Sequence, residues 1–339
     1  MARAYIGTSG WVYAGWREHL YADTPVKKWL QVASRAFDAL EINGSFYTQI
    51  KPETYQRWYA ETPAEFRFAL KGHRFVSHYK RLRDCRDSII RLRDQAQPLH
   101  EKLAAVVWQL PSNFQCSIER LEDFMRSLEA WQGVRHALEL RHRSWFVPEV
   151  AAILRANNVA VCMGDAPDFP MWREVTSDLA YVRLHGHTRK YASSYSEQSL
   201  RAWASDAQRW LAEGRDVHVY FDNDAEGHAV RNALRFQELV AGTPPREIPA
   251  SAYAMPSPER KPYPSPWRSV NRASARRATR SDESARPARR AAARSTPDAS
   301  GSAHDAPSQR PTAQPKSPAS SARRSTTRTG SRARRRAER

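Results

Sequence analysis

The chain has 339 residues, 41% of them apolar, and a formal net charge of +18. That length suits one large domain or two ordinary ones, and no apolar stretch is long enough to span a bilayer, which excludes a helical membrane protein. No export signal is evident at the start, and the three cysteines, Cys85, Cys116 and Cys162, are odd in number and form no CxxC pair, so a disulfide framework or thiolate zinc site is excluded and a reducing, cytoplasmic setting is expected.

In chain order, strand-like runs fall at 4–7, 39–43, 67–71, 105–109, 136–140, 159–163, 180–185 and 217–222. Helical punctuation lies between them: Pro25 near the start of 26–37, Pro52 ahead of 53–61, Ser117 ahead of 118–131 and Asp224 ahead of 225–240. Strand then helix, repeated, is the pattern of parallel βαβ units. Eight units predict an α/β fold, a (β/α)8 TIM barrel over residues 1–242, with a doubly wound open sheet as the alternative.

Alternation within the strands carries the functional argument. Leu40 and Ile42 share one face while Glu41 and Asn43 share the other. Arg67, Ala69 and Lys71 oppose Phe66, Phe68 and Leu70; Glu139 and Arg141 oppose Leu138 and Leu140; Tyr181, Arg183 and His185 oppose Val182 and Leu184. In the last strand His218, Tyr220 and Asp222 oppose Val217, Val219 and Phe221. Barrel strands turn their apolar face to the surrounding helices, so the polar set faces the axis. Charges there must be paired and hydrogen-bonded.

Six segments together are distinctive: Gly7-Thr8-Ser9-Gly10-Trp11, Glu41-Ile42-Asn43-Gly44-Ser45-Phe46-Tyr47, Gln109-Leu110-Pro111-Ser112-Asn113-Phe114, Glu139-Leu140-Arg141-His142-Arg143-Ser144-Trp145, Tyr181-Val182-Arg183-Leu184-His185-Gly186 and Tyr220-Phe221-Asp222-Asn223-Asp224. In order, and across nearly the whole body, they resemble the DUF72 family, the YecE-like proteins. The resemblance implies a TIM barrel and leaves the reaction open.

Each segment ends or follows a strand, which puts it at the C-terminal face where barrels keep their chemistry. The polar set expected there is Glu41, Asn43, Lys71, Gln109, Glu139, Arg141, Asp165, Arg183, His185 and Asp222. Glu41, Lys71, Glu139, His185 and Asp222 are the candidates for acid–base catalysis, and Asn43, Gln109, Arg141, Arg183, Tyr220 and Trp11 for holding a small anionic or polyhydroxylated ligand. The competing reading is an ion-pair network that merely plugs the axis, in a non-catalytic binding or scaffold protein. His185-Gly186-His187 with the carboxylates has metal-ligand chemistry, but the adjacent arginines repel a cation, so no metal is assigned. Nothing in the sequence specifies a cofactor. Glu41 and Glu139 sit on strands two and five with an arginine beside the second, a poor match to a glycosidase pair. Thr188, Arg189 and Lys190 after strand seven, and the helix start at 223–227, lie where many barrels hold phosphate.

Residues 243–339 carry 22 Lys and Arg against 7 Asp and Glu, a net +15 that leaves only +3 for the rest. With almost no large apolar residue after Trp267, this basic tail is expected to be disordered. Its arginine clusters predict non-specific, salt-sensitive affinity for nucleic acid.

Overall fold

Strands that are polar on one face and apolar on the other bury both faces only if the sheet closes on itself inside a ring of helices. The computed structural model of the chain, which describes residues 1–242, has that arrangement: eight parallel strands form a closed barrel in sequence order. They are β1 (Ala4–Ser9), β2 (Ala39–Ile42), β3 (Arg67–Lys71), β4 (Leu103–Gln109), β5 (Arg135–Glu139), β6 (Ala160–Asp165), β7 (Leu179–Leu184) and β8 (Asp216–Phe221). Closure is made by β1 on β8, in register from Ala4 opposite Val217 to Thr8 opposite Phe221. The open-sheet alternative is thereby set aside. The basic tail expected over 243–339 lies outside the described residues.

Outside the strands run α1 (Trp29–Ala36), the single turn α2 (Gly44–Tyr47), α3 (Pro52–Glu61), α4 (Arg86–Ala96), α5 (Ile118–Leu128), α6 (Pro148–Ala156), α7 (Glu197–Ala212) and α8 (His228–Ala241). Helix α5 illustrates the logic. Ser117 caps it by accepting from the Arg120 amide, and Leu121, Phe124, Met125 and Leu128, spaced at helical intervals, form its buried stripe. Phe124 meets the outward face of β4 through Trp108, edge to face at 5.4 Å.

One unit departs from the repeat: β6 and β7 are joined by residues 166–178 with no helix. Pro167 and Pro170 deny that short segment a helical ladder. Thr176 does part of the absent helix's work, its hydroxyl donating to the Val159 carbonyl and accepting from the Val161 amide. Trp172 stacks on Phe146. Among the described residues no helix is long and apolar enough to cross a membrane.

The barrel interior is filled unequally. Ala39, Ala69, Ala105, Ala137 and Ala160 on β2 to β6 are small, and the space they leave is taken by Tyr5, Tyr181 and Tyr220 from β1, β7 and β8. Large against small across an axis reaches native density without branched aliphatics. At the N-terminal end Arg135 pairs with Asp216 at 2.6 Å. The charges at the other end form the candidate site.

Candidate functional site

At the C-terminal end the in-facing positions of β2, β5, β7 and β8 converge on one side chain, Arg183, which is fully buried. Its Nε and Nη2 donate to Glu41 (3.1 and 2.7 Å), Nη1 to Glu139 (2.7 Å), and Nη2 also to Asp222 (3.0 Å) and to the Ser9 hydroxyl (3.1 Å). Glu41 accepts in addition from Ser9 (2.5 Å) and from the Tyr181 hydroxyl (2.7 Å). Glu139 takes a second guanidinium, Arg141, through Nε (2.7 Å) and Nη2 (2.5 Å). His185 bridges the carboxylates, Nε2 lying 3.2 Å from Glu139 and Nδ1 2.9 Å from Asp222, the latter outside hydrogen-bonding alignment.

Electrostatics follow from this wiring. Burial opposes ionisation of Glu139, yet Arg141 and Arg183 outweigh it and hold the carboxyl well below the usual range. Asp222 behaves alike: against burial, Arg183 and then His185 bring it down to about 2. Burial opposes the charge on Arg183 too, but Glu41, Glu139 and Asp222 raise its pKa further. The result is an inner cluster in which Glu139, Asp222 and Arg183 are held charged at neutral pH and whose hydrogen bonds are largely spent on one another, the Nδ1 of His185 excepted.

Above it lies a rim of polar groups that the protein does not satisfy. Lys71 and Gln109, each 7% exposed, lie nearest the opening, beside Asp222 (7%) and Arg141 (9%) at the top of the inner cluster. The Lys71 ammonium has no carboxylate or hydrogen-bond partner among the described residues and rests 4.4 Å from the centre of the Phe46 ring. Burial and the neighbouring Arg183 bring its pKa down to about 8, against the pull of Asp222, Glu139 and Glu41. The Gln109 amide is likewise unpartnered among the described residues. Asn43 donates to Ser9 at 2.8 Å but leaves its Oδ1 without a partner, as does Asp224 with its own Oδ1. Buried polar atoms are seldom left so.

Asp224 was not among the residues expected from sequence to act. Burial, and secondarily the adjacent Asp222 charge, carry its carboxyl up to about 7. Asp222 and Asp224 therefore sit two residues apart with protonation behaviour driven in opposite directions, which is how one site holds a fixed charge beside a proton carrier. Asn223 between them donates to the Ser193 carbonyl and to Asn232, both at 2.9 Å, and so ties the loop after β7 to α8.

That loop closes part of the mouth. Gly186, at φ +104°, makes the turn, where a Cβ would lie 2.6 Å from the Arg189 carbonyl. Tyr191 follows with φ +62°, a strained position for an aromatic residue, and sets its ring edge-on to His185 at 5.9 Å. From the β6–β7 segment Phe169 covers Arg141, the guanidinium 4.3 Å from the ring centre. Gly164 makes room for this, since a Cβ there would lie 2.9 Å from Phe169 and 3.2 Å from Glu139.

Of the eleven catalytic and ligand-binding candidates, Glu41, Glu139, Arg141, Arg183, His185 and Asp222 meet in the inner cluster, and Asn43, Lys71 and Gln109 form the rim. Two lie elsewhere. Tyr220 is a layer deeper, hydrogen-bonded to His218 at 2.9 Å. Trp11 packs on the outer side of the strands, edge to face with Trp58 at 5.1 Å. Asp165 also faces outward, near Trp203 of α7, because β6 presents Gly164 to the interior. Among the described residues no three His, Cys, Asp or Glu form a metal-binding group; Arg183 occupies the space between the carboxylates. Cavities of about 280 and 750 Å³ open at the N-terminal end, one beside Arg135 and His136 and the other beside Arg3 and Tyr5, away from this cluster.

Comparison with known proteins agrees with this architecture. A family model described as protein of unknown function DUF72 matches residues 5–256, continuing past residue 242. The UPF0759 protein YunF of Bacillus subtilis is 27% identical over 281 residues, 72% of this chain and 98% of YunF. The UPF0759 protein YecE of Escherichia coli K12 is 29% identical over 143 residues, 42% of this chain and half of YecE. The crystal structure of a DUF72 family protein from Thermotoga maritima superposes with a TM-score of 0.64 at 27% identity, covering 70% of this chain and 99% of the other. A second, from Enterococcus faecalis, shares the fold with a TM-score of 0.62 at 20% identity, covering 71% and 96%. The chain belongs to the DUF72 family.

Proposed function

We propose that the barrel mouth binds a small, anionic, polyhydroxylated ligand and performs acid–base chemistry on it. The observation that carries this reading is the contrast between a largely saturated inner cluster, in which the His185 Nδ1 alone lacks a hydrogen-bond partner among the described residues, and an unsaturated rim. A plug serving only stability has no use for an unpaired ammonium, an unpaired amide and two orphaned side-chain oxygens at neighbouring strand ends. Charge is also divided across the mouth. On the β3 side His78 is pushed down to about 4 by burial and then by Lys71, Arg141, Arg74 and Arg81, a field that favours an anion. On the β8 side Asp222 and Asp224 favour hydroxyl groups. Lys71 and Gln109 hold the anionic end, Asn43 and Asp224 the hydroxylated end, and Asp224 moves the proton while Glu139, Asp222 and His185 keep the field in place.

Thermal melting of the full chain with inorganic phosphate, sugar phosphates, sugar acids and nucleoside monophosphates tests this. A ligand at a hundred times its Kd adds about 2.7 kcal/mol, a rise of roughly 5–10 °C for a domain of this size. At least one class is expected to produce such a rise, and Gln109→Leu is expected to diminish it. Melting curves unmoved by every compound would contradict a ligand site.

A second reading rests on a separate observation, the +15 charge beyond residue 242. Here the tail holds the barrel near nucleic acid through phosphate contacts that release counterions. The full chain should bind duplex DNA or RNA at low salt without sequence preference and lose affinity steeply as salt rises. A chain ending at Pro256, which keeps the whole family match, should lose most of that binding. Equal affinity and salt slope in both would move the nucleic-acid site to the barrel.

A further inference from the structure

Among the candidates elsewhere on the molecule, the aromatic and basic group of Tyr47, Arg74, Phe75 and Tyr79 lies largely at the surface, and the N-terminal cavity beside Arg135 has that guanidinium already paired with Asp216, its Nη1 alone left over. Lys71 carries an inference further. It ends β3 at the floor of the rim, it is only 7% exposed, it contacts no carboxylate among the described residues, and its nitrogen lies 4.4 Å from the centre of the Phe46 ring. A lysine kept only for charge is normally paired; one kept for its nitrogen must have that nitrogen free.

We propose that Lys71 is a covalent nucleophile that forms an imine with a small carbonyl compound bearing an anionic group, a keto acid or a phosphorylated aldehyde or ketone. The inference rests on the ligand reading above and narrows it to carbonyl compounds, with Lys71 meeting the carbonyl carbon and Arg141 taking its place beside Gln109 at the anionic group. The neutral amine of Lys71 adds its lone pair to the carbonyl carbon, a C–N bond forms, and the carbonyl π pair passes to oxygen, which takes a proton. The carbinolamine then expels that oxygen as water, which carries one hydrogen from the amine and one proton from the protonated Asp224 carboxyl, and the second amine hydrogen stays on nitrogen as the iminium N–H. No oxidant or reductant is needed. Burial, and after it the cationic neighbour Arg183, disfavour the ammonium and so supply free amine, bringing the pKa down to about 8. In this proposal the Arg141 guanidinium and the Gln109 amide, both near the opening, receive the anionic group, and Asp224, its carboxyl carried up to about 7 by burial, supplies the proton to the departing oxygen.

Reductive trapping tests the proposal. The full chain is incubated with pyruvate, glyceraldehyde 3-phosphate or dihydroxyacetone phosphate and sodium cyanoborohydride, then analysed by intact mass and peptide mapping, with parallel melting curves without reductant. The expected result is one dominant adduct on Lys71 from at least one probe, absent in Lys71→Met and in Lys71→Arg, which keeps the charge but cannot form the imine. Adducts spread over surface lysines with Lys71 unmodified would overturn the nucleophile assignment. A probe that raises the melting temperature yet leaves Lys71 unlabelled would overturn it while leaving the ligand site intact, whereas loss of both signals removes the two together.

Discussion

Replacing Arg183 by Met is expected to lower the stability of the barrel by about 3–5 kcal/mol, because it leaves buried carboxylates without their counter-charge. For a domain of this size that is a fall in melting temperature of roughly 6–20 °C. Glu41, Glu139 and Asp222 all accept from this one guanidinium, and among the described residues only Glu139 accepts from a second arginine. The deficit should shrink on acidification. In the wild type the Asp222 pKa lies near 2, below its unfolded value, so its contribution is present above about pH 4 and is lost as pH falls towards 2. Without Arg183 the carboxyls rise, protonate at milder pH and cease to need a partner. Melting measured from pH 7 to pH 4 checks this; a small loss with no pH dependence would mean that Arg141 and Lys71 suffice to neutralise the cluster.

Asp224→Asn is expected to act in the opposite sense. Its folded pKa near 7 exceeds the unfolded value of 3.8, so the folded state binds the extra proton and loses stability as pH rises from about 4 to 7. The full shift corresponds to about 4 kcal/mol, and partial solvent access reduces that to about 2 kcal/mol. The amide removes the cost of the buried charge. Unfolding at pH 8 should therefore show the variant more stable than the wild type, with the advantage vanishing near pH 4, and any activity should be lost despite the gain. An equal effect at both pH values would show that Asp224 does not titrate in this range.

Much of this was legible in the strands themselves. The alternation of Leu40 with Glu41, or of Val182 with Arg183, placed the charges on the axis and the aliphatics under the helices, and six of the expected residues meet in one cluster. Alternation does not say which charges pair. Arg183 and Arg141 looked like equivalent anion-binding groups, whereas Arg183 is enclosed by three carboxylates and, of the cations at the mouth among the described residues, Lys71 has neither a carboxylate nor a hydrogen-bond partner. Asp165 was expected at the mouth because it follows the sixth strand, but β6 runs on to Asp165 and turns Gly164 inward, so Asp165 faces out. Trp11 was read as part of the mouth by its position after β1, but the chain there turns back over the outer core and Trp58 receives it. Asp224 carried no signal beyond its neighbourhood: its protonation depends on burial by the surrounding loops, a tertiary effect with no local pattern.

The division between saturated cluster and unsaturated rim is tested most directly by the melting temperature of Lys71→Met at pH 7. An unpaired, buried ammonium whose pKa is brought down to about 8 costs stability below that pH, and the cost fades as pH rises towards the unfolded value. Removing the charge is therefore predicted to raise the melting temperature by a few degrees, roughly 2–4 °C for each kcal/mol recovered, while abolishing the response to the anionic ligand. A melting temperature that falls as it does for Arg183→Met would contradict the account, because Lys71 would then be one more member of a structural ion-pair network.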